Sequence, residues 1–192
     1  MHLNCAVDAH GRMAGPGGQP ARISTDDDLR RVHGLRAEYD AILVGVHTVL
    51  RDDPSLRVKP EFAQGPNPIP VILDTRLRTP KQARIVRAGT RIYHTTGAKK
   101  LGQATLVRVG EAPDGVDLVA VLRDLHQAGV QSILVEGGAT VLEAFRRAGL
   151  WDTWTVFQSG LDLGEGPTLW NDWQAGGTSE EALGGTLWTF SP

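Results

Sequence analysis

The chain has 192 residues, enough for one well-packed domain, and its 41% hydrophobic and 22% charged residues are ordinary for a globular protein. The net charge of -2 lacks the basic excess that attracts nucleic acids or anionic membranes, so neither is expected as a partner. The single cysteine, Cys5, excludes an internal disulfide, no apolar run has transmembrane length and no signal peptide is evident, which favours the cytoplasm.

The first half of the chain predicts three strands and one helix. Residues 3–7 form a short apolar run typical of a strand, and a glycine-rich loop follows. Ser24, Thr25 and two aspartates supply cap candidates and early acidic charge for a helix that runs through Arg36. Two further apolar runs, separated by a turn region at 47–53, predict buried strands at 41–46 and 70–74.

The second half continues this alternation of strands and helices. Strands are predicted at 90–95, 105–109, 133–135, 154–158 and 186–190, and amphipathic helices at 116–128 and 141–148. The middle strands are apolar on both sides, as in a parallel sheet that is covered on both faces. We therefore predict an α/β fold with a mostly parallel sheet, an antiparallel C-terminal edge and helices on both faces.

One strand-to-helix turn carries the sequence Glu136-Gly137-Gly138. Glycines allow the backbone to approach a ligand, and the N-terminus of the following helix directs free N–H groups to the same place. This arrangement suits a phosphate or diphosphate. The alternative is a tight turn with a solvated glutamate, and the segment alone does not decide between the two.

Two other strand ends carry polar groups that suit a nucleotide. Thr48 and Asp52 follow the strand at 41–46, where they offer a hydroxyl for a phosphate and a carboxylate for a sugar hydroxyl. Thr75, Arg76 and Arg78 follow the strand at 70–74, and arginine suits a 2′-phosphate. The alternatives are helix capping before Pro54 and a solvated charged loop.

Together these segments resemble a known family. The motifs are Leu35-Arg36-Ala37, Thr-Val-Leu-x-Asp-Asp-Pro-Ser-Leu at 48–56, Leu-Asp-x-x-Leu-Arg-x-Pro at 73–80 and Glu-Gly-Gly at 136–138. In order and spacing they resemble the reductase domain of riboflavin biosynthesis, the RibD C-terminal group with a dihydrofolate reductase-like fold. The resemblance extends from about residue 3 to residue 166.

The resemblance implies an oxidoreductase that uses NADPH to reduce a ribosylaminopyrimidine 5′-phosphate to its ribitylamino product, with hydride transfer to C1′ of the opened ribose. It also implies a homodimer. We expect one reductase domain over residues 1–192 and no metal, because no cluster of metal ligands is visible in the sequence. A fused deaminase is not expected, because one cysteine cannot supply its zinc site. The alternatives are another NADPH-dependent reductase on the same fold, of dihydrofolate type or acting on another imine or carbonyl, and a nucleotide-binding protein without catalysis.

The resemblance also assigns the residues of the site. Substrate binding falls to Arg36, which is expected to contact the phosphate, to Leu56 and Lys59, and to Glu136, which is also the candidate catalytic residue. The residues implied for the cofactor are Thr48, Asp52, Thr75, Gly138, Ala139, Thr140 and Val141.

The chain departs from the family pattern on the substrate side. The usual Ser-x-Asp-Gly-Lys/Arg is replaced by Asp8-Ala9-His10-Gly11-Arg12, Arg22 stands where a polar or aromatic residue is frequent, and Lys59 replaces an arginine. A lysine supplies the positive charge but not the forked pair of N–H donors that an arginine guanidinium offers.

His10 and His47 are candidate proton donors, although His47 is expected to shape the pocket beside Thr48. Five late tryptophans are expected in the core or, preferably, in a subunit interface: Trp151, Trp154, Trp170, Trp173 and Trp188.

Overall fold

The computed structural model describes all 192 residues, which form eleven strands and four α-helices. The helices are α1 (Asp26–Glu38), α2 (Val46–Asp52), α3 (Leu118–Gln127) and α4 (Ala139–Arg147). The strands are β1 (His2–Val7), β2 (Ala41–Gly45), β3 (Ile69–Leu73), β4 (Arg91–His94), β5 (Thr105–Arg108), β6 (Glu111–Ala112), β7 (Gly115–Val116), β8 (Ile133–Val135), β9 (Thr153–Gln158), β10 (Thr178–Ala182) and β11 (Gly185–Phe190). None of the helices is both long enough and apolar enough to span a membrane.

Nine strands form one sheet in the order β10-β11-β9-β1-β8-β2-β3-β4-β5. All neighbours from β9 to β5 pair in parallel, whereas β11 pairs antiparallel with both β9 and β10. The carboxyl ends of β2, β3 and β8 therefore lie at the same edge of the sheet. This topology confirms the predicted parallel sheet with an antiparallel C-terminal edge.

Each face of the sheet is covered by its own apolar cluster. Alternate strand residues such as Leu43 and Val135 pack with Leu125 of α3 and Phe145 of α4 on one face. Their neighbours, such as Ile42, pack on the other face with residues of α1 and α2. Successive strand side chains point to opposite faces, so helices cover both sides as predicted.

The structure corrects two local predictions and adds strands that were not predicted. The predicted turn region at 47–53 is the helix α2, whose seven residues are too few to show a helical period in the sequence. The helix predicted from residue 116 begins at Leu118, because the residues before it form the small β6–β7 hairpin. Strand β10 was not predicted, since its exposed Thr-Ser-Glu-Glu-Ala sequence shows no apolar alternation and its pairing with β11 holds it in place.

The four helices differ in how their N-termini are capped. The side chains of Thr25 and Asp117 accept hydrogen bonds from the first turns of α1 and α3. Helices α2 and α4 begin after Gly45 and Gly138, and no side chain caps either of them. The two helices that follow β2 and β8 therefore keep backbone N–H groups available at the carboxyl edge of the sheet.

Gly34 offers a test of the helix α1, because a Cβ there would meet nothing within 4 Å. Replacing Gly34 by alanine should raise the free energy of unfolding by about 0.5–1 kcal/mol, since glycine loses more backbone entropy in a helix. Urea denaturation measures the change. Gly45→Ala is the contrasting variant and should destabilise, because its Cβ would lie 2.7 Å from Val141 Cγ2. Destabilisation by Gly34→Ala would contradict the helix assignment at this position.

Candidate active site

A cleft of about 430 Å³ lies at the carboxyl edge of the sheet, between the N-termini of α2 and α4. It forms there because the parallel strands β2 and β8 deliver both uncapped helices to this edge. Seven residues predicted for the site line this cleft: Thr48, Asp52, Glu136, Gly138, Ala139, Thr140 and Val141. The family resemblance assigned these residues from separate segments of the sequence, and the fold brings them together.

A smaller depression of about 110 Å³ adjoins the main cleft and shares four lining residues with it, Gly45, His47, Thr140 and Val141. It extends the cleft toward Thr75, Arg78 and Asp114. The two depressions together form a groove, and the N-terminus of α4 lies between its two ends. Thr75 therefore lines the same groove as the other predicted cofactor residues. Of the two arginines that follow it, Arg78 lines the groove and Arg76 does not.

Two glycines lie in the turn between β8 and α4. Gly137 has a φ of +101°, which favours glycine, and the peptide bond between Gly137 and Gly138 is cis. Gly138 has a φ of -69°, and a Cβ there would lie 3.5 Å from Thr48 Oγ1, an ordinary van der Waals contact. Because Gly138 and Thr48 both line the main cleft, an added methyl group at 138 would lie in the space between α2 and α4.

Glu136 and Arg36 form a forked ion pair beside the cleft. Arg36 Nε donates to Oε1 at 2.9 Å and Nη2 donates to Oε2 at 2.6 Å, and the side chains are only 15% and 10% exposed. Burial alone would lower the pKa of Arg36, but the charge and hydrogen bonds of Glu136 outweigh it and raise the pKa. Glu136 lines the cleft and Arg36 lies behind it, so the pair orients the carboxylate.

The other predicted substrate residues lie outside the main cleft. The Leu56 side chain is buried in the apolar cluster beneath α2, at a φ of +51°. Lys59 is exposed, with Nζ 5.6 Å from the ring centroid of Phe62, and its backbone N–H donates to His33 Nδ1. Arg36 Nη1 donates to the carbonyl of Arg57 at 3.4 Å, which ties this segment to α1. The substrate roles of Arg36, Leu56 and Lys59 stay predictions.

His33 holds the segment around Lys59 against α1. Its ring accepts the Lys59 N–H at 3.2 Å and stacks on Phe62 with 5.1 Å between centroids. Burial, followed by the positive charge of Arg36, lowers the pKa of His33 to about 4. The ring is therefore neutral near pH 7, as its role as an acceptor requires.

Asp8 anchors the loop that forms one wall of the cleft. The buried carboxylate accepts the backbone N–H groups of His10, Arg12 and Leu163 and the Arg12 guanidinium at 3.0 Å. Burial alone would raise the pKa of Asp8, but these hydrogen bonds outweigh it and lower the pKa. Arg12 also donates to Asp162 at 2.7 Å. The departure from the family pattern thus ties the N-terminal loop to the segment at 162–163.

His10 and Arg22 lie near this loop in different settings. His10 Nε2 lies 3.5 Å from Asp162, about half exposed and outside the cleft lining. Arg22 lines the cleft and pairs with Asp26. His47 lines both depressions of the groove, where it was expected to shape the pocket.

The cleft holds neither a cluster of metal ligands nor a reactive thiol. No group of three or more His, Cys, Asp or Glu side chains is placed to hold a metal ion. Burial raises the pKa of the Cys5 thiol to about 12, so the thiolate nucleophile is absent near pH 7. Burial also raises the pKa of Asp52, against the opposing effect of Arg51.

Four of the late tryptophans pack together within the chain. Trp154 stacks on Phe190 with 4.3 Å between centroids and contacts Trp170 and Trp173, and Trp188 packs edge-on against Trp173. Trp154 and Trp173 are buried, in agreement with a core role. A subunit interface at the half-buried members stays a prediction.

Arg51 and Asp114 were not among the predicted site residues, yet they line the main cleft and the smaller depression respectively. Arg51 lies three residues after Thr48 on α2, and residues at this spacing share one face of a helix. Predicting this helix would therefore have placed Arg51 on the side of Thr48. Asp114 lies between β6 and β7, far along the chain from every motif, and no pattern in the sequence signals its position.

Comparison with known proteins gives a consistent result. The profile of the RibD C-terminal domain matches residues 2–178. A protein of Archaeoglobus fulgidus named 2,5-diamino-6-ribosylamino-4(3H)-pyrimidinone 5′-phosphate reductase is 35% identical over 187 residues, which cover 88% of this chain and 84% of the relative. A protein of the same name from Methanothermobacter thermautotrophicus is 39% identical over 157 residues, or 78% and 72% of the two chains.

Solved structures share the fold. The diaminohydroxyphosphoribosylaminopyrimidine deaminase/5-amino-6-(5-phosphoribosylamino)uracil reductase of Thermotoga maritima matches with a TM-score of 0.80 and 25% identity. The match covers 100% of this chain and 56% of the other, so the chain spans little more than half of that protein. A dihydrofolate reductase from Enterococcus faecalis, complexed with NADP(H), matches with a TM-score of 0.55 and 13% identity over 99% of this chain and 94% of the other, which shows the fold alone.

Proposed function

The chain belongs to the RibD C-terminal domain family, and from this we propose that it is an NADPH-dependent reductase of riboflavin biosynthesis. The proposed substrate is 2,5-diamino-6-ribosylamino-4(3H)-pyrimidinone 5′-phosphate, and the product carries a ribitylamino group. The observation that carries the proposal is the position of the Glu136 carboxylate, held by Arg36, at one end of a groove that contains the N-terminus of α4.

The groove suits a dinucleotide cofactor. The N-terminus of α4 has no side-chain cap, so its N–H groups and positive dipole end are available to a diphosphate. Gly138 has no side chain of its own in front of this terminus, and the nearest atom to a Cβ there would be Thr48 Oγ1, at 3.5 Å. Thr48, Asp52 and the residues 138–141 would hold the half of the cofactor near Glu136, and Thr75 would hold the other half, at the smaller depression. A bound nicotinamide supplies hydride, which is the chemistry that reduction of an opened, imine-like ribose requires.

Glu136 is proposed to orient the ribose of the substrate. Each carboxylate oxygen accepts one hydrogen bond from Arg36 and retains a second lone pair for a ligand hydroxyl. Because the fork fixes the carboxylate, ligand binding does not have to order this side chain. Glu136 therefore acts in the proposal as a fixed hydrogen-bond acceptor that holds C1′ of the ribose in position for hydride transfer from the nicotinamide.

Arg36, Leu56 and Lys59 stay on the substrate side of the proposal. Arg36 uses three of its N–H groups on Glu136 and Arg57, and a guanidinium has about five in all, so part of the fork remains for a phosphate. We also propose one reductase domain over residues 1–192 that works as a homodimer in the cytoplasm.

A spectrophotometric assay tests this function. Purified protein, NADPH and the diamino substrate should show loss of the absorbance of reduced nicotinamide, with lower rates for the deaminated uracil compound and for dihydrofolate. Tight NADPH binding without turnover of either pyrimidine would contradict the proposal. Turnover of dihydrofolate alone would favour the alternative reductase on the same fold.

A further inference from the structure

At the smaller depression, the groove carries two opposite charges that form no ion pair and no hydrogen bond within the protein. Arg78 and Asp114 both line the smaller depression together with Thr75, and both side chains are exposed. All ten ion pairs of the structure involve other residues, and neither side chain takes part in a hydrogen bond. Arg78 and Asp114 are therefore separated by more than 4 Å and remain available to a ligand.

The β6–β7 hairpin places Asp114 beside Thr75. A Cβ at Gly115, the residue after Asp114, would lie 3.0 Å from Thr75 Oγ1, and Gly115 has a φ of +127°. Glycine at this position lets the hairpin pack directly against the end of β3. The hairpin thus adds an acidic residue to a depression that Thr75 and Arg78 also line.

We propose that Asp114 and Arg78 together set the choice between NADPH and NADH, with Asp114 opposing the 2′-phosphate that Arg78 and Thr75 favour. The proposal rests on the proposed function, because it takes the smaller depression as the adenosine end of the cofactor site. It assigns a role to a residue outside every motif of the sequence.

The two side chains differ in what they recognise. A phosphate carries nearly two negative charges, which a guanidinium attracts and a carboxylate repels. A ribose 2′-hydroxyl carries a proton that a carboxylate accepts. A site with both groups is therefore less selective for NADPH than a site with the arginine alone. Because both side chains are exposed, salt should weaken the effect.

Asp114→Asn tests the acidic half of this proposal. At low salt the variant should bind NADPH about 3- to 10-fold more tightly, in line with the removal of one exposed like charge, and should not bind NADH more tightly. Dissociation constants follow from the fluorescence of the reduced nicotinamide. Glu111→Gln is the matched control, because it removes one negative charge from the same hairpin outside the groove, and its ratio of NADH to NADPH constants should equal that of the unmodified chain.

Arg78→Gln tests the basic half, with Arg76→Gln as the matched control that removes an exposed arginine outside the groove. Arg78→Gln should weaken NADPH about tenfold and leave NADH nearly unchanged, whereas Arg76→Gln should change neither. Adenosine 2′,5′-bisphosphate and adenosine 5′-monophosphate, which lack nicotinamide, should show the same pattern by calorimetry.

The outcomes separate this inference from the proposed function. If Asp114→Asn and Glu111→Gln give the same ratio of constants, Asp114 does not select the cofactor and the inference is wrong. If the unmodified chain binds neither dinucleotide, the inference fails with the cofactor assignment. If the pyrimidine assay shows no turnover while the ratio responds to Asp114 and Arg78 as stated, the inference stands and the substrate assignment fails.

Discussion

Glu136→Gln should lower kcat/KM for the diaminopyrimidine phosphate by at least about 100-fold, while the dissociation constant for NADPH stays nearly unchanged. Glutamine preserves the size of the side chain but removes the charge and places an amide where a carboxylate oxygen accepts hydrogen bonds. The loss is expected in catalysis and substrate binding, because in the proposed function Glu136 holds the ribose of the substrate, whereas other residues of the groove hold the cofactor. Steady-state kinetics and nicotinamide fluorescence measure the two quantities separately.

The same substitution should reduce the free energy of unfolding by about 3–5 kcal/mol, because it leaves the largely buried Arg36 without its counter-charge. Glu143→Gln is the matched control, since Glu143 makes the same forked pair with Arg146 on α4, with both side chains about one-third exposed. That pair should contribute no more than about 1 kcal/mol. Equal losses of stability in the two variants would show that burial does not strengthen the Arg36–Glu136 pair. An unchanged kcat/KM for Glu136→Gln would contradict a role of Glu136 in the reaction.

Much of the fold and part of the site could be predicted from the sequence, because strands that are buried on both faces leave long apolar runs. The run at 41–46 marked β2, and the glycine pair after β8 marked the turn into α4. Parallel strands end at the same edge of a sheet, so placing Thr48, Glu136 and Gly138 at strand ends was enough to bring them together.

The rest depended on contacts between distant segments. Nothing in the sequence shows that the Arg36 fork is engaged by Glu136, one hundred residues away, and the resemblance alone assigned the fork to a phosphate. Asp8 is another case, because its role as an anchor is set by backbone N–H groups that include Leu163. Asp114 reaches the groove only through the hairpin that packs on Thr75. Such contacts follow from tertiary packing and leave no local pattern.

Gly138→Ala should raise the dissociation constant for NADPH by about 100-fold or more with little loss of stability, because the added methyl group occupies ligand space. The backbone of Gly138 has a negative φ, and the nearest atom to a Cβ, Thr48 Oγ1, lies at an acceptable 3.5 Å. Since alanine is a poorer N-cap than glycine, the free energy of unfolding should fall by no more than about 1 kcal/mol. Fluorescence titration and urea denaturation measure these two effects.

Two other glycines show what the result at Gly138 means. Gly160→Ala adds a methyl group in open space outside the groove, so it should change neither cofactor affinity nor stability appreciably. Gly137→Ala places a side chain at a φ of +101° and should destabilise the fold by about 1–3 kcal/mol. If Gly138→Ala were destabilised as strongly as Gly137→Ala, glycine at position 138 would be required for folding rather than for ligand binding. If it resembled Gly160→Ala, no phosphate would approach the N-terminus of α4. Weak cofactor binding by a stable Gly138→Ala protein would instead mean that the gap between α2 and α4 is kept open for the ligand.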